Sequence, residues 1–351
     1  MSLRRSSCLL GCVVLAASLL ACSHAAPAPR GSQPAPDTVA GLLAAAYRAL
    51  ESGEADELTA LLTTDAMVYG LGPSDTWSSR AETAARLGPH LLPLNLGAQK
   101  LSVTESRPGV GLAASGRSGW VFDLPLVTLA GASGASQWLP RVTAHAIREG
   151  DSWRFDAVHV SLGVPDELVF APDAAKLLLP PAEVVAERGV GAEELVGLTR
   201  RVLDDFTVKI QHISDRAEFC EIGSAPTETF EGGKRFRALV MPLLSTITKA
   251  GYSWKLDGGL KARVAPDGQT GWAAGNVVLR IGAGPSAQVL PTFRTLWIYV
   301  EEKGGWNLAA EHQSLGVKED LRTSASEQDL KAFRLRKAQA PARLQSPIDP
   351  W

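Results

Sequence analysis

From Val39 to Leu50 the apolar residues fall three and four apart, the spacing of one helical face, and Ala55 to Leu62 continues it for a shorter stretch. Ala66 to Leu71 then reads as a short strand, and Arg80 to Leu91 as a further helix. Beyond that point the period drops to two. Gln99–Arg107, Gly119–Leu129, Gln137–Arg148 and Ser152–Leu162 each predict a long strand. The same order returns further on. Helical spacing covers Glu193 to Ile210, a short strand covers Glu218 to Ile222, and a helix covers Gly233 to Leu244. Four long strands follow at Tyr252–Val264, Thr270–Ile281, Val289–Glu301 and Gly305–Leu315. Ala265-Pro266-Asp267-Gly268 and Lys303-Gly304-Gly305 have the residues of tight turns between them. Helices first and an antiparallel meander after them predict an α+β fold, with the sheet curled around the helices.

The recurrence extends to the residues themselves. Trp153-Arg154-Phe155-Asp156-Ala157-Val158-His159-Val160-Ser161-Leu162-Gly163-Val164 returns as Trp306-Asn307-Leu308-Ala309-Ala310-Glu311-His312-Gln313-Ser314-Leu315-Gly316-Val317, 153 positions later. Gly119-Trp120 returns as Gly271-Trp272, Trp77 as Phe230, and Tyr69 loosely as Phe219. A period this long is a whole domain rather than a solenoid unit. The expected layout is domain 1 at 37–167, a linker at 168–190 with a short helix near 174–178, domain 2 at 191–321, and a C-terminal helix and tail at 322–351.

The element order, with a closing strand of the form Trp-x-x-x-x-x-His-x-Ser, resembles the nuclear-transport-factor-2-like superfamily, and within it the SnoaL-like group. The resemblance implies two cone-shaped, cystatin-like domains, each a curved antiparallel sheet wrapped around helices with a cavity at the wide end. It also implies dimer-like packing through the sheets, here as an intramolecular pseudo-dimer. Members often carry two histidines on the closing strand; here the first is replaced by Ala157 and Ala310, and the second is kept as His159 and His312. The fold serves isomerases, cyclases, dehydratases and plain binding modules alike, so it does not select a function.

The first residues have a different character. Arg4 and Arg5 precede an uncharged, mostly apolar run from Cys8 to Leu20, too short to span a bilayer. Leu19-Leu20-Ala21-Cys22 resembles the bacterial lipobox, which implies cleavage of a signal peptide at 1–21, lipid on the Cys22 thiol, and an exported protein held on the envelope, with the outer membrane facing the periplasm as the expected site. An ordinary signal peptide cut near Ala25 or Ala26 is the other reading. Residues 22–36, rich in Ala, Pro and Ser, are expected to be an extended tether.

Charge and cysteine content narrow the partners. Thirty-five basic residues nearly balance 37 acidic ones, and no basic stripe marks a nucleic-acid surface. Hydrophobic residues make up 45 % of the chain, enough for two real cores. Of four cysteines, Cys8, Cys12 and Cys22 lie in the leader or at the lipid site. Cys220 alone remains, so no internal disulfide or cysteine metal cluster is expected in the folded part. No metal triad, phosphate loop, nucleophile elbow or dinucleotide fingerprint occurs, and no cofactor is expected.

Two functions stay open. The first is non-catalytic binding of a small apolar ligand or an envelope protein, with Trp77, Trp120, His145, Trp272 and His312 as ligand-binding candidates. The second is a ketosteroid-isomerase-like or cyclase-like enzyme in domain 1. There Asp123, interrupting the strand Trp120-Val121-Phe122, would be the base, and Tyr69 and His159 would assist it. Against this, Asp123 before Pro125 also suits a turn contact, and Gly275 stands in its place in the second copy. Strict alternation puts His159 on the same face as Trp153, and His312 with Trp306.

Overall fold

The computed structural model describes residues 36–132, 134–171, 180–282 and 287–316, together with Leu330, Lys331 and Arg334. The lipobox, the tether up to residue 35, the helix expected near 174–178 and nearly all of the C-terminal segment lie outside the described residues.

The first half opens with α1 (Val39–Ser52) and α2 (Ala55–Ala60). The Thr38 hydroxyl accepts from the Gly41 amide and starts α1; Gly53, at φ +72°, ends it in the left-handed conformation that suits a residue without Cβ. The third helix, α3 (Arg80–Asn95), is capped by Ser79 and runs on past Leu91 with Pro89 and Pro93 inside it. Around these lie β1 (Leu62–Tyr69), β2 (Thr76–Trp77), β3 (Gln99–Thr104), β4 (Gly109–Leu112), β5 (Ser118–Asp123), β6 (Leu126–Gly131), β7 (Gly134–Trp138), β8 (Arg141–Glu149) and β9 (Ser152–Ser161). The connection between the halves contributes β10 (Glu187–Arg188). The second half has helices Glu193–Asp204, Phe206–Gln211, Gly233–Val240 and Leu244–Lys249, the last two joined by a 3-10 turn at Met241–Leu243. Its strands are β11 (Cys220–Ile222), β12 (Thr229–Glu231), β13 (Ser253–Val264), β14 (Thr270–Ile281), β15 (Gln288–Val289), β16 (Phe293–Glu302) and β17 (Gly305–Ser314).

The two sheets follow one plan. The first runs β2-β1-β9-β8-β5-β4, and the second β12-β11-β17-β16-β14-β13 with β10 added at its edge. The expected α+β architecture of curved sheets over helices is present. The meander is not purely antiparallel, however: β1 lies parallel to β9, and β11 parallel to β17. A strand that precedes its helix joins the far end of the meander without a hairpin, and so runs the other way.

Several predicted elements are divided. The helix expected from Glu193 to Ile210 breaks at Asp205, whose carboxylate caps the second piece through the Thr207 amide. In the first half the sheet itself is interrupted. Pro108 and Pro125 cannot donate to a ladder, and β3, β6 and β7 peel away as a separate three-stranded sheet. The second half keeps these strands continuous as β13 and β14.

The structure also sets the correspondence of the halves. Tyr69 pairs with His159 as Ile222 pairs with His312. The counterpart of Tyr69 is therefore Ile222, not Phe219, because Cys220–Ile222 alone forms the strand and Phe219 precedes it. Each concave interior is filled by its own helices. Leu42, Leu43, Val121, Trp153 and Phe155 pack in the first, and Leu195, Phe219, Phe236, Trp297 and Leu308 in the second. The convex faces of the two sheets meet, burying Met67, Tyr69, Trp120, Trp272, Leu296 and Ile298 in one shared cluster.

Candidate functional site

Where the sheets meet, polar side chains are exchanged in near-symmetric pairs. The His159 Nε2 lies 2.7 Å from the Ser314 hydroxyl, and the His312 Nε2 lies 2.7 Å from the Ser161 hydroxyl. The two imidazoles stack at 3.8 Å with 13° between their planes. Ser161 and Ser314, like the two histidines, are 153 positions apart, so the contact reproduces within one chain the self-complementary pattern of a two-fold interface. His312 Nδ1 also lies 3.1 Å from the Thr143 hydroxyl.

Two buried arginines complete the arrangement. Arg141 on β8 donates to the carbonyls of Gly223, Ser224 and Ala225 at 2.7–2.9 Å. Arg294 on β16 donates to the Gly72 carbonyl at 2.8 Å and to Asp75 O at 3.4 Å. Each guanidinium thus reaches from its own half into the loop after the other half's first strand. Burial and the two arginines hold His312 well below the ordinary imidazole range, and burial, the neighbouring His312 and the same arginines do so for His159, so both are neutral.

These histidines face the interface because of a bulge. On β9 Asp156 is an extra residue between Phe155, paired with Ala146, and Ala157, paired with His145; on β17 Ala309 is the extra residue between Leu308 and Ala310. One additional residue turns every later side chain to the opposite face. Trp153 and Trp306 therefore point inward to their own cores, while His159 and His312 point outward. The shared face expected from strict alternation is not formed.

Asp156 itself serves the interface. It accepts from Trp272 Nε1 at 2.5 Å and from the Thr63 hydroxyl at 3.0 Å, with His145 Nδ1 at 3.7 Å. Burial would raise its carboxyl, but the nearby His145, the hydrogen bond from Trp272 and the charge of Arg263 outweigh this and leave it below the ordinary range. His145 does not meet His159; its Nε2 lies 2.8 Å from the Thr270 hydroxyl of the second half. Trp120 makes the reverse crossing, donating to the Glu218 carbonyl at 2.9 Å.

The trio Asp123, Tyr69 and His159 does not converge. Asp123 turns toward α1 and accepts four hydrogen bonds: from the Tyr47 and Ser106 hydroxyls at 2.9 and 2.6 Å, and from the Arg107 and Leu124 amides at 3.0 and 2.9 Å. It secures the chain at the break in the sheet. Tyr69 lies on the opposite face, fully buried, its ring 5.0 Å from that of His159 and 5.6 Å from the Arg294 guanidinium. No hydrogen bond reaches its hydroxyl, and burial raises that group. Trp77 packs in the core of the first half. Trp120, His145, His159, Trp272 and His312 are each 0 % exposed. Surface grooves of about 490 Å³ beside Trp306, His212 and Arg201, and of about 420 Å³ beside Arg237, Glu302 and Lys303, include none of these candidates.

The sequence reading missed a second polar group, inside the second half. Lys209 Nζ lies 2.9 Å from Glu221 Oε1 and 2.8 Å from Glu311 Oε2. The two glutamates are direct neighbours on the parallel pair β11 and β17. Burial and the neighbouring Glu311 push the Glu221 carboxyl up to about 7 despite the attraction of Lys209. The signal that could have revealed it is a pair of acidic residues in strands whose counterparts, Val68 and Val158, are apolar. Among the described residues, no group of three His, Cys, Asp or Glu side chains is placed to hold a metal ion, and no helix is long and apolar enough to cross a membrane.

The comparisons with known proteins each bear on part of the chain. Residues 39–166 match the model of the SnoaL-like domain. Among solved structures, the chain is similar to a protein with a cystatin-like fold from Caulobacter vibrioides: 16 % identity, 39 % of this chain and 96 % of that one, TM-score 0.31. It is similar at 16 % identity to ActVI-ORFA from Streptomyces coelicolor, over 35 % of this chain and 92 % of that one, TM-score 0.31. A third, assigned as a dehydratase of the nuclear-transport-factor-2-like family from Streptomyces avermitilis, is 18 % identical over 36 % of this chain and 94 % of that one, TM-score 0.30. No curated protein matches. The span 39–166 thus matches the SnoaL-like domain, and it has its two helices, its capped third helix and its closing strand in the expected order.

Proposed function

We propose that this chain is a lipid-anchored envelope protein in which duplicated SnoaL-like domains close on each other as an intramolecular pseudo-dimer and act by binding, not catalysis. The reciprocal His159–Ser314 and His312–Ser161 contacts carry the reading. They use, inside one chain, the surface through which a separate copy would otherwise dock. The residues that a domain 1 enzyme would need are already engaged: Asp123 has four donors, and Tyr69 and His159 lie on the other face of the sheet.

Three measurements test the proposal. The protein released from membranes runs as a monomer on sizing with light scattering; a stable dimer counts against the pseudo-dimer. Cys22→Ala moves the protein from the membrane to the soluble fraction; unchanged fractionation counts against the anchor. Tryptophan fluorescence, titrated with a panel of lipids and steroids, reports a small apolar ligand; silence across the panel leaves an envelope protein as the partner, sought by crosslinking.

A second reading has its own observation. The second half encloses Lys209, Glu221 and Glu311, a set able to hold and move a proton. An enzyme built there would lose turnover in Glu221→Gln while Asp123→Asn left it unchanged.

A further inference from the structure

The face between the halves combines two neutral imidazoles with two permanent cations in one enclosed place. The groups facing the histidines come from every strand packed there: Tyr69 from β1, Arg141 and Thr143 from β8, Arg294 from β16, and Ser161 and Ser314 beside the rings. Of the carboxylates on this face, Asp156 is engaged with His145 and Trp272, and Asp267 accepts from the Ser115 and Ser118 hydroxyls. Each Nε2 edge meets a serine hydroxyl across the interface and His312 Nδ1 meets the Thr143 hydroxyl, and hydroxyls turn to suit a neutral ring. A proton on either ring would add a cation 3.8 Å from the other ring and within the field of Arg141 and Arg294.

We infer that the stacked His159–His312 pair is an acid-sensitive clasp between the two halves, closed at neutral pH and opened on acidification to expose the paired sheet faces. The inference rests on the pseudo-dimer described above and adds its regulation. In the open form the imidazoles are hydrated and take up protons with ordinary affinity, near pH ~6.5. In the closed form they do not. The ratio of open to closed therefore stays constant above about pH 6.5. Below it, the ratio rises up to about tenfold per pH unit for each histidine until the closed form also protonates.

The molecule carries its own reporter. The Cys220 side chain is fully buried and clusters with Ile222 and with Phe122 of the opposite half, so its thiol is sealed by the same closure. Labelling of Cys220 by 4,4′-dithiodipyridine, which reacts across the acid range, is measured in the full chain by mass spectrometry of the Cys220 peptide. Each rate is divided by that of the urea-unfolded chain at the same pH. The expected result is a constant ratio from pH 8 to 6.5 and a rise of at least tenfold per unit from pH 6 to 5. In the His159→Gln/His312→Gln double variant, which keeps an amide donor at each place but no titrating ring, the ratio stays flat. Glu221 and Glu231 beside Cys220 are both held above the ordinary carboxylate range, so acid favours their burial and cannot produce the rise. A flat wild-type ratio, or an equal rise in the double variant, overturns the clasp. If the double variant is unfolded at pH 7.5, each single Gln variant is expected to lose about one factor of ten per pH unit, and unchanged slopes in both overturn it. Light scattering on the same samples separates this from failure of the pseudo-dimer, which shows as a dimer at neutral pH.

Discussion

In the first half Val68 and Val158 lie side by side on β1 and β9, with Leu58 of α2 near them in the same core. In the second half Glu221 and Glu311 take those places on β11 and β17, and Lys209, the fourth residue of its short helix as Leu58 is of α2, lies between them. The same cradle is thus filled with hydrocarbon once and with three ionisable groups once. Burying ions rarely stabilises a fold more than well-packed apolar groups do. The first half shows that this cradle does not require them. The contrast reverses at the sheet. The first half breaks its strands at Leu124–Pro125 and holds the break with Asp123, whereas the second runs β14 through Gly275 unbroken.

The largest expected effect breaks the buried charges unevenly. Lys209→Ala leaves two carboxylates unpaired in the interior and should cost about 3–5 kcal/mol, read by urea denaturation. Lys209→Leu/Glu221→Val/Glu311→Val, which restores the first half's apolar residues, should be neutral or stabilising by up to about 4 kcal/mol. If the triple variant is as unstable as the single, the two cradles are not equivalent.

Asp123→Ala comes next. It strands four donors at the sheet break and should cost about 2–4 kcal/mol, with Asp123→Asn losing less because one amide oxygen still accepts. A loss below about 0.5 kcal/mol in Asp123→Ala would show that the break holds without it.

The pH dependence of global stability joins both regions. His159 and His312 have folded pKa values below their unfolded ones, so the unfolded chain binds more protons below about pH 6.5 and stability falls with acid there. Glu221 is raised above its unfolded value, so its contribution has the opposite sign and grows more favourable as pH falls. Glu221→Gln should therefore steepen the acid loss between pH 6.5 and 5, by up to about 1.4 kcal/mol per pH unit. An unchanged slope would mean that Glu221 titrates as it does in the unfolded chain.

The smallest effects compare the two crossing tryptophans. Trp272→Phe removes a bond to the Asp156 carboxylate and should cost about 1.5–3 kcal/mol, whereas Trp120→Phe removes a bond to a neutral carbonyl and should cost about 0.5–1.5 kcal/mol. Equal losses would mean that packing rather than charge decides both.

Much of the architecture was legible from periodicity alone. Helical spacing of the apolar residues puts Leu42, Leu43, Ala46 and Ala49 on one face of α1, and that face is the buried one. The turn at Ala265–Gly268 and the offset between Trp77 and Phe230 also hold in the structure. The candidate residues were less legible. Aromatics and histidines in strands look alike whether they line a cavity or seal an interface, and local pattern carries no record of what packs against a face. Arg141 and Arg294 gave no sign in isolation, because their partners are backbone carbonyls 82–84 and 219–222 positions away.

The amino-acid order by itself determined the element types, their repetition at one spacing and the α+β class, since these follow from local period and turn chemistry. Tertiary structure decided which face each histidine serves. A side chain's face depends on the count of residues paired across the ladder, and that count is altered by one at Asp156 and at Ala309. Only the pairing with β8 and β16 makes those residues extra, and only the second sheet gives the face they create something to hold.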